Sequence, residues 1–307
     1  MAPLGWSPYI LPLFLFPTPT TNQPNHMALL KMTLTMLTVV ALNLFAWFEP
    51  LYAFSSNTAP AGIRIRKLEA DTNFLFPTNA KRLTEFLMDA TYGECRPFSA
   101  AWAQRAVIDA AARSDLFSRL AYYQKRLDEN DDAGGGVSSG AIFIAEKEEN
   151  NCELVGFVDV GASLWVPEEG TFQLPMNDDL KKRAAAIAAG NSSPQMMIRP
   201  YVSNLVVDNR MRRRGVGKSL MAACEAEVAG WISDDQNNNK ACATNICLEV
   251  TSTNREALGF YRAAGYVIAE GGGSTPGTEL KREGDGFRMI DVQRCLMQKD
   301  LMQISPL

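Results

Sequence analysis

Apolar and polar residues alternate with period two from Ile63 to Lys67, after which the spacing lengthens to that of helices. Leu83, Phe86 and Leu87 predict an amphipathic helix from about Asn79 to Tyr92. Trp102, Val107, Ile108, Leu116 and Leu120 predict a longer one from Phe98 to Leu127. Gly134-Gly135-Gly136 reads as a loop, followed by strands at Ala141–Ala145 and Leu154–Val166 joined by the charged, Asn-rich turn 146–153. From Pro167 to Pro200 the pattern predicts a mobile surface insertion whose only helical piece is Lys181 to Ala189. The β-rich run Leu205-Val206-Val207 breaks at the turn-formers Asp208-Asn209, and a helix begins near Val216 with Leu220, Met221 and Cys224 on its apolar side. A strand at Thr244–Thr251, a helix at Thr253–Ala264, a strand at Gly265–Glu270, a Gly-rich loop at 271–285 and a closing strand at Phe287–Met297 complete the pattern. This alternation predicts one α/β domain with helices covering a sheet.

Composition narrows the chemistry. The 307 residues carry a net charge of −4, whereas nucleic-acid-binding domains normally show a basic excess, so no nucleic-acid partner is expected. His26, the only histidine, lies upstream of the domain, which removes histidine-based triads and His metal sites. Six scattered cysteines, with no C-x-x-C pair, predict free thiols and no metal. Acid–base work then falls to carboxylates, Tyr, Lys or Cys.

The amino-terminal segment reads as an address. Met32 to Phe48 is an uncharged apolar run preceded by Lys31 and followed by Glu49-Pro50-Leu51-Tyr52-Ala53, a signal-peptide pattern with cleavage expected after Ala53. Phe54, hydroxylated residues and the basic Arg64, Arg66 and Lys67 follow. This order resembles the bipartite presequences of algae with secondary plastids, which implies a plastid protein. A secretory or membrane-anchored protein is the alternative. Residues 1–61 are assigned to the presequence, 62–300 to the domain with its 167–200 insertion, and 301–307 to a tail; the mature domain is not expected to span a membrane.

The segment Tyr201 to Glu227 holds the most chemistry. A strand, a basic glycine-containing turn and a helix follow one another, so free N–H groups at the helix start would face an anion. Gly215 and Gly217 permit close backbone approach, while Arg212, Arg213, Arg214 and Lys218 add charge, and the expected ligand is a pyrophosphate. Gly217-Lys218-Ser219 imitates the end of a P-loop, but Arg212 stands where that motif requires glycine.

Arg212-Arg213-Arg214-Gly215-Val216-Gly217 resembles the (Q/R)-x-x-G-x-(G/A) signature of the GNAT superfamily of N-acetyltransferases, and LEVTSTNREALGFYRAAGY (Leu248–Tyr266) resembles its second block. Within the superfamily the chain is similar to protein N-acetyltransferases, and its domain to the plastid enzymes of plants and algae. The resemblance implies a mixed, mostly antiparallel sheet whose fourth and fifth strands splay, helices on both faces, and acetyl-CoA as co-substrate with no metal. It implies that backbone groups of Leu205, Val206 and Val207 hold pantetheine, with the Val207 N–H as oxyanion donor. The pyrophosphate would rest on the N–H groups from Arg213 through Val216 to Lys218. Glu249 matches the family's general base and Tyr261 its general acid. A surface carboxylate and a packing tyrosine are the plain alternatives. Asn254 caps its helix, bonds the cofactor, or both. The acceptor is expected to be a protein α-amine or lysine ε-amine. A polyamine or arylalkylamine, or a non-catalytic acyl-CoA-binding role, is the alternative.

Overall fold

The computed structural model describes residues 59–69, 78–97, 99–128, 140–149, 152–166, 171–188, 197–237, 244–269 and 274–302. The presequence reading at 1–58, His26 and Cys242 lie outside them. Nine strands and five helices are present among the described residues: β1 (Ile63–Lys67), α1 (Thr78–Tyr92), α2 (Ala100–Asp128), β2 (Gly140–Lys147), β3 (Leu154–Val166), β4 (Thr171–Gln173), α3 (Asp178–Ala188), β5 (Ile198–Val207), α4 (Val216–Asn237), β6 (Asn245–Thr251), α5 (Arg255–Ala263), β7 (Val267–Ile268), β8 (Thr275–Glu283) and β9 (Gly286–Asp300). They build the expected mixed sheet, in the order β1-β2-β3-β5-β6-β9-β7, with β4 added to β3 and β8 to β9. Every pairing is antiparallel except β5 with β6.

Helices cover both faces because the strands alternate. Ile142, Ile144 and Phe157 turn toward Leu83 and Leu87 of α1 and Leu116 and Leu120 of α2. Phe143, Val158, Leu248 and Val250 turn the other way, toward Leu220, Met221 and Cys224 of α4 and Tyr261 of α5. Removing such side chains from water stabilises by roughly 1.5–3 kcal/mol each. Cys224 and Cys247 are buried free thiols, as the apolar pattern predicts.

Two segments differ from the sequence reading. The stretch read as a Gly-rich loop at 271–285 is largely β8, which pairs with β9 from Thr275↔Arg294 to Glu283↔Gly286. The insertion is not only a surface excursion: β4 pairs with β3, Leu180 packs on Leu164 and Val166, and the Phe172 ring stacks on Tyr201 at 4.8 Å. Charged β8 side chains hid the first, and the second is fixed by contacts distant in sequence. The strand expected at Gly265–Glu270 is confined to Val267–Ile268.

One irregularity shapes the centre of the sheet. Between the pairs Phe157↔Val206 and Asp159↔Ser203, β3 has one residue, Val158, and β5 has two, Asn204 and Leu205. This is a β-bulge, and Asn204 adopts the left-handed conformation (φ 54°) that asparagine tolerates better than most residues. The extra residue bends β5 and reverses its facing, so Val206 joins the α1/α2 side while Val207 stays on the α4 side. Pairing of β5 with β6 ends at Val202↔Leu248, and beyond it the strands part. These are the two strands expected to splay as fourth and fifth; they are numbered β5 and β6 because β4 belongs to the insertion.

Candidate active site

Parity along β5 decides which backbone groups enter the gap. The Asp208 N–H donates to Val155 O at 2.9 Å, so Val206, two residues earlier, also addresses β3. Val207 must then direct its N–H and C=O away from β3, toward the gap. Its carbonyl accepts from Arg212 Nε at 3.3 Å. Leu205 and Val207 are half-buried against the α4-side core.

At the foot of the gap the chain turns into α4. Asp208 accepts from the Arg210 N–H at 2.8 Å, and its carboxyl is held below the usual range chiefly by the Arg210 side chain. Arg213 and Gly215 take positive φ (61° and 89°), a combination that turns the backbone sharply before the helix. The first bond closing α4 is Ser219 N–H to Gly215 O, at 3.0 Å, so the N–H groups of Val216, Gly217 and Lys218 have no partner within the helix. Arg212, Arg213, Arg214 and Lys218 are exposed around them. A Cβ on Gly217 would lie 3.4 Å from Phe260 Cζ and 3.7 Å from Val207 Cγ2, ordinary contact distances.

Glu249 sits on β6 between Leu248 and Val250, and alternation turns it to the face opposite theirs. Its side chain is only 4% exposed, so it is not a surface carboxylate. Oε2 accepts from the Tyr201 hydroxyl at 3.3 Å and lies 3.6 Å from Arg294 Nη1, both loose contacts. Oε1 is buried with no hydrogen-bond partner among the described residues. Burial pushes the Glu249 carboxyl above its ordinary range, against the opposing pull of Arg294 and the Tyr201 hydrogen bond. Glu279, buried on β8, is likewise pushed up by burial and accepts from Thr251 Oγ1 at 3.1 Å. Arg294 lies beside both carboxyls, and Gly277 makes its place: a Cβ there would come within 2.6 Å of Arg294 Nε.

Tyr261 comes from α5 on the other side of the sheet. Burial pushes its phenol well up, so it keeps its proton at neutral pH. It and Glu249 line one cavity of about 40 Å³, together with Tyr201 to Leu205, Thr251 and Arg294. Asn254 caps α5, its Oδ1 accepting from the Ala257 N–H at 3.1 Å. Sequence reasoning singled out Glu249, Tyr261 and the turn but missed Arg294, Glu279 and Tyr201 as their partners. Those residues reach the site by strand register, which no local motif encodes.

Residues 138–268 match the family model described as "Acetyltransferase (GNAT) domain". Over that span the chain is similar to GNAT acetyltransferases. The matched span runs from the strand β2 to β7 and so includes the bulge, the basic turn, Glu249 and Tyr261. No curated protein sequence matches the chain. Among solved structures it is similar to yncA, a putative acetyltransferase from Salmonella typhimurium with its cofactor acetyl-CoA, at 14% identity, covering 78% of this chain and 94% of that one, with a TM-score of 0.40. It is also similar to the ribosomal-protein-S18-alanine N-acetyltransferase from Escherichia coli, at 13% identity, 78% and 94% coverage and a TM-score of 0.36. An N-acetyltransferase from Staphylococcus aureus Mu50 aligns at 11% identity, 78% and 98% coverage and a TM-score of 0.40. Among the described residues no cluster of His, Cys, Asp or Glu is placed to hold a metal, and no helix is long and apolar enough to cross a membrane.

Proposed function

We propose that this GNAT domain transfers an acetyl group from acetyl-CoA to a primary amine, with protein amines in the plastid as the acceptors. The observation that carries the reading is the cavity between the parted strands, where a buried carboxylate from one face of the sheet meets a buried phenol from the other.

The residues fit the co-substrate. The Val216, Gly217 and Lys218 N–H groups and the four exposed cations of the turn suit a pyrophosphate, and the unpaired stretch of β5 suits the amides of pantetheine. Acetyl-CoA supplies an activated acetyl thioester. The Val207 N–H, directed into the gap, would donate to the thioester oxygen and stabilise developing charge there. Glu249 Oε1 takes one proton from the substrate ammonium, freeing the lone pair that attacks. The nitrogen loses a second proton as the amide forms; the Tyr261 phenol gives its own proton to the departing sulfur and is restored by that second one, and the proton held by Glu249 is the one released to solvent. A raised carboxyl suits a base at neutral pH, and a phenol that stays protonated suits an acid.

The decisive experiment is incubation of the domain with acetyl-CoA and a proteome-derived peptide library, with modified amines mapped by mass spectrometry. Failure to acetylate any amine, with acetyl-CoA bound, would leave the non-catalytic reading. The plastid address rests on Ala53-Phe54 behind the apolar run Met32 to Phe48. A fluorescent fusion of residues 1–75 should enter the plastid, and Phe54→Ala should divert it; cytosolic signal from the unmutated fusion would refute the address.

A further inference from the structure

A second, larger space opens directly onto the small cavity. It measures about 620 Å³, within the range that takes an organic ligand, and lies between α2, β4, α3 and β5. It shares Tyr201, Ser203, Asn204 and Arg294 with the cavity holding Glu249, so the passage widens immediately beyond the base. Its walls are mostly apolar, with Leu87, Leu116, Tyr122, Phe172, Leu174 and Leu180 prominent. The wall from β4 and α3 belongs to the insertion, and Phe172 stacks on the same Tyr201 whose hydroxyl contacts Glu249.

Charge and width together select an occupant. Among the described residues the only carboxylate lining this cleft is Asp115, already bonded to Arg119 Nε at 2.8 Å, whereas three cations line it: Arg119, Arg294 and, at the mouth, Lys181, which also pairs with Asp178 at 3.5 Å. An acceptor with further ammonium groups therefore meets no free counter-charge. A lysine would fill the passage with a thin four-carbon stem and hold its peptide away from the wide part. An amino terminus instead carries its first side chains into the cleft beside its own amine. At the mouth, Ser118, Ala121, Asn177 and Lys181 are exposed, so a longer chain has a way out to solvent.

We propose that the cleft between α2 and the β4–α3 insertion is the acceptor site, and that it takes the α-amine of a peptide whose first side chains are apolar. This rests on the acetyltransferase reading above. The test compares three acceptors with acetyl-CoA: a hexapeptide with a free amino terminus and Leu and Phe leading, the same peptide with a blocked terminus and one internal lysine, and spermidine. The free apolar terminus is expected to show at least tenfold higher kcat/KM than either of the others. Ala121→Trp, which narrows the mouth, should raise KM for that peptide at least tenfold while the Kd for acetyl-CoA, read by calorimetry, stays unchanged. Lys181→Glu should narrow the gap between peptide and spermidine severalfold through KM. Both positions are exposed, so unchanged melting will show that the variants fold. A preference for the lysine peptide or spermidine, or a peptide KM that ignores Ala121→Trp, overturns the acceptor assignment alone. Wild-type protein that fails to bind acetyl-CoA brings down the underlying reading instead.

Discussion

Glu249 and Tyr261 stand on opposite sides of one sheet, on β6 and α5, and line the same cavity because β5 has parted from β6 between them. If Tyr261 protonates the departing sulfur, Tyr261→Phe keeps the ring among Phe260 and Tyr266 and deletes only the hydroxyl. We expect kcat to fall by roughly 10²–10⁴-fold with little change in acetyl-CoA affinity or melting temperature. Stopped-time assays with a verified acceptor would measure it, and wild-type turnover would reduce Tyr261 to a packing residue.

Glu249 makes two predictions of opposite sense. Because burial raises its pKa, the folded state favours the neutral form, and that contribution is fully present below about pH 4.3 and lost as pH rises through the folded value. Glu249→Gln is therefore expected to melt higher than wild type at pH 7–8, with the difference vanishing toward pH 4. Its kcat/KM should nevertheless fall, most at neutral pH, and recover toward the amine's own pKa. A deficit that is flat with pH would make Glu249 a positioning residue.

Arg294 offsets the effect of burial on Glu249. Replacing it with Met removes the nearest cation, so the acid limb of the kcat/KM profile should move to higher pH. An unmoved limb would show that the 3.6 Å contact does not set the base.

The basic turn predicts a salt-sensitive affinity. Reversing Arg214 and Lys218 to Glu together should weaken acetyl-CoA binding by tenfold or more, about 1.4 kcal/mol per decade, and the loss should shrink at high ionic strength. Calorimetry at two salt concentrations would check it.

Asp159 tests the scaffold behind the acceptor cleft. Fully buried, it accepts from Arg119 Nη1 at 2.7 Å, Tyr123 Oη at 2.7 Å and Ser203 Oγ at 2.9 Å, joining α2 to β3 and β5. Asp159→Asn leaves Arg119 without its buried counter-charge and is expected to cost about 3–5 kcal/mol. Denaturant unfolding would read the loss, and an unchanged midpoint would mean Arg119 finds full compensation in Asp115.

Where a feature is written in adjacent residues, the sequence was enough to read it. Turn chemistry at Asp208-Asn209, the glycines of the basic turn and the alternation around Glu249 each identify an element and the side its residues face. β8 was missed because Glu279, Lys281, Arg282 and Glu283 make it look polar, although Glu279 points inward. The bulge at Asn204 was missed because its cause is a count: β5 carries two residues where β3 carries one. Arg294 and Gly277 could have been suspected, as an arginine in a strand pattern and a glycine without a turn, but only pairing in register brings them together.

The ladder between β5 and β6 consists of two register pairs, Tyr201↔Cys247 and Val202↔Leu248, whereas β3 with β5 and β6 with β9 pair along most of their lengths. The sheet is thus two stiff plates stitched at a short seam. A load that pries the plates apart, such as a bulky product leaving the gap, meets its least hydrogen-bonded resistance there. The same shortness that leaves the Val207 backbone without a β6 partner makes the seam the natural line along which the domain can flex without unfolding either plate.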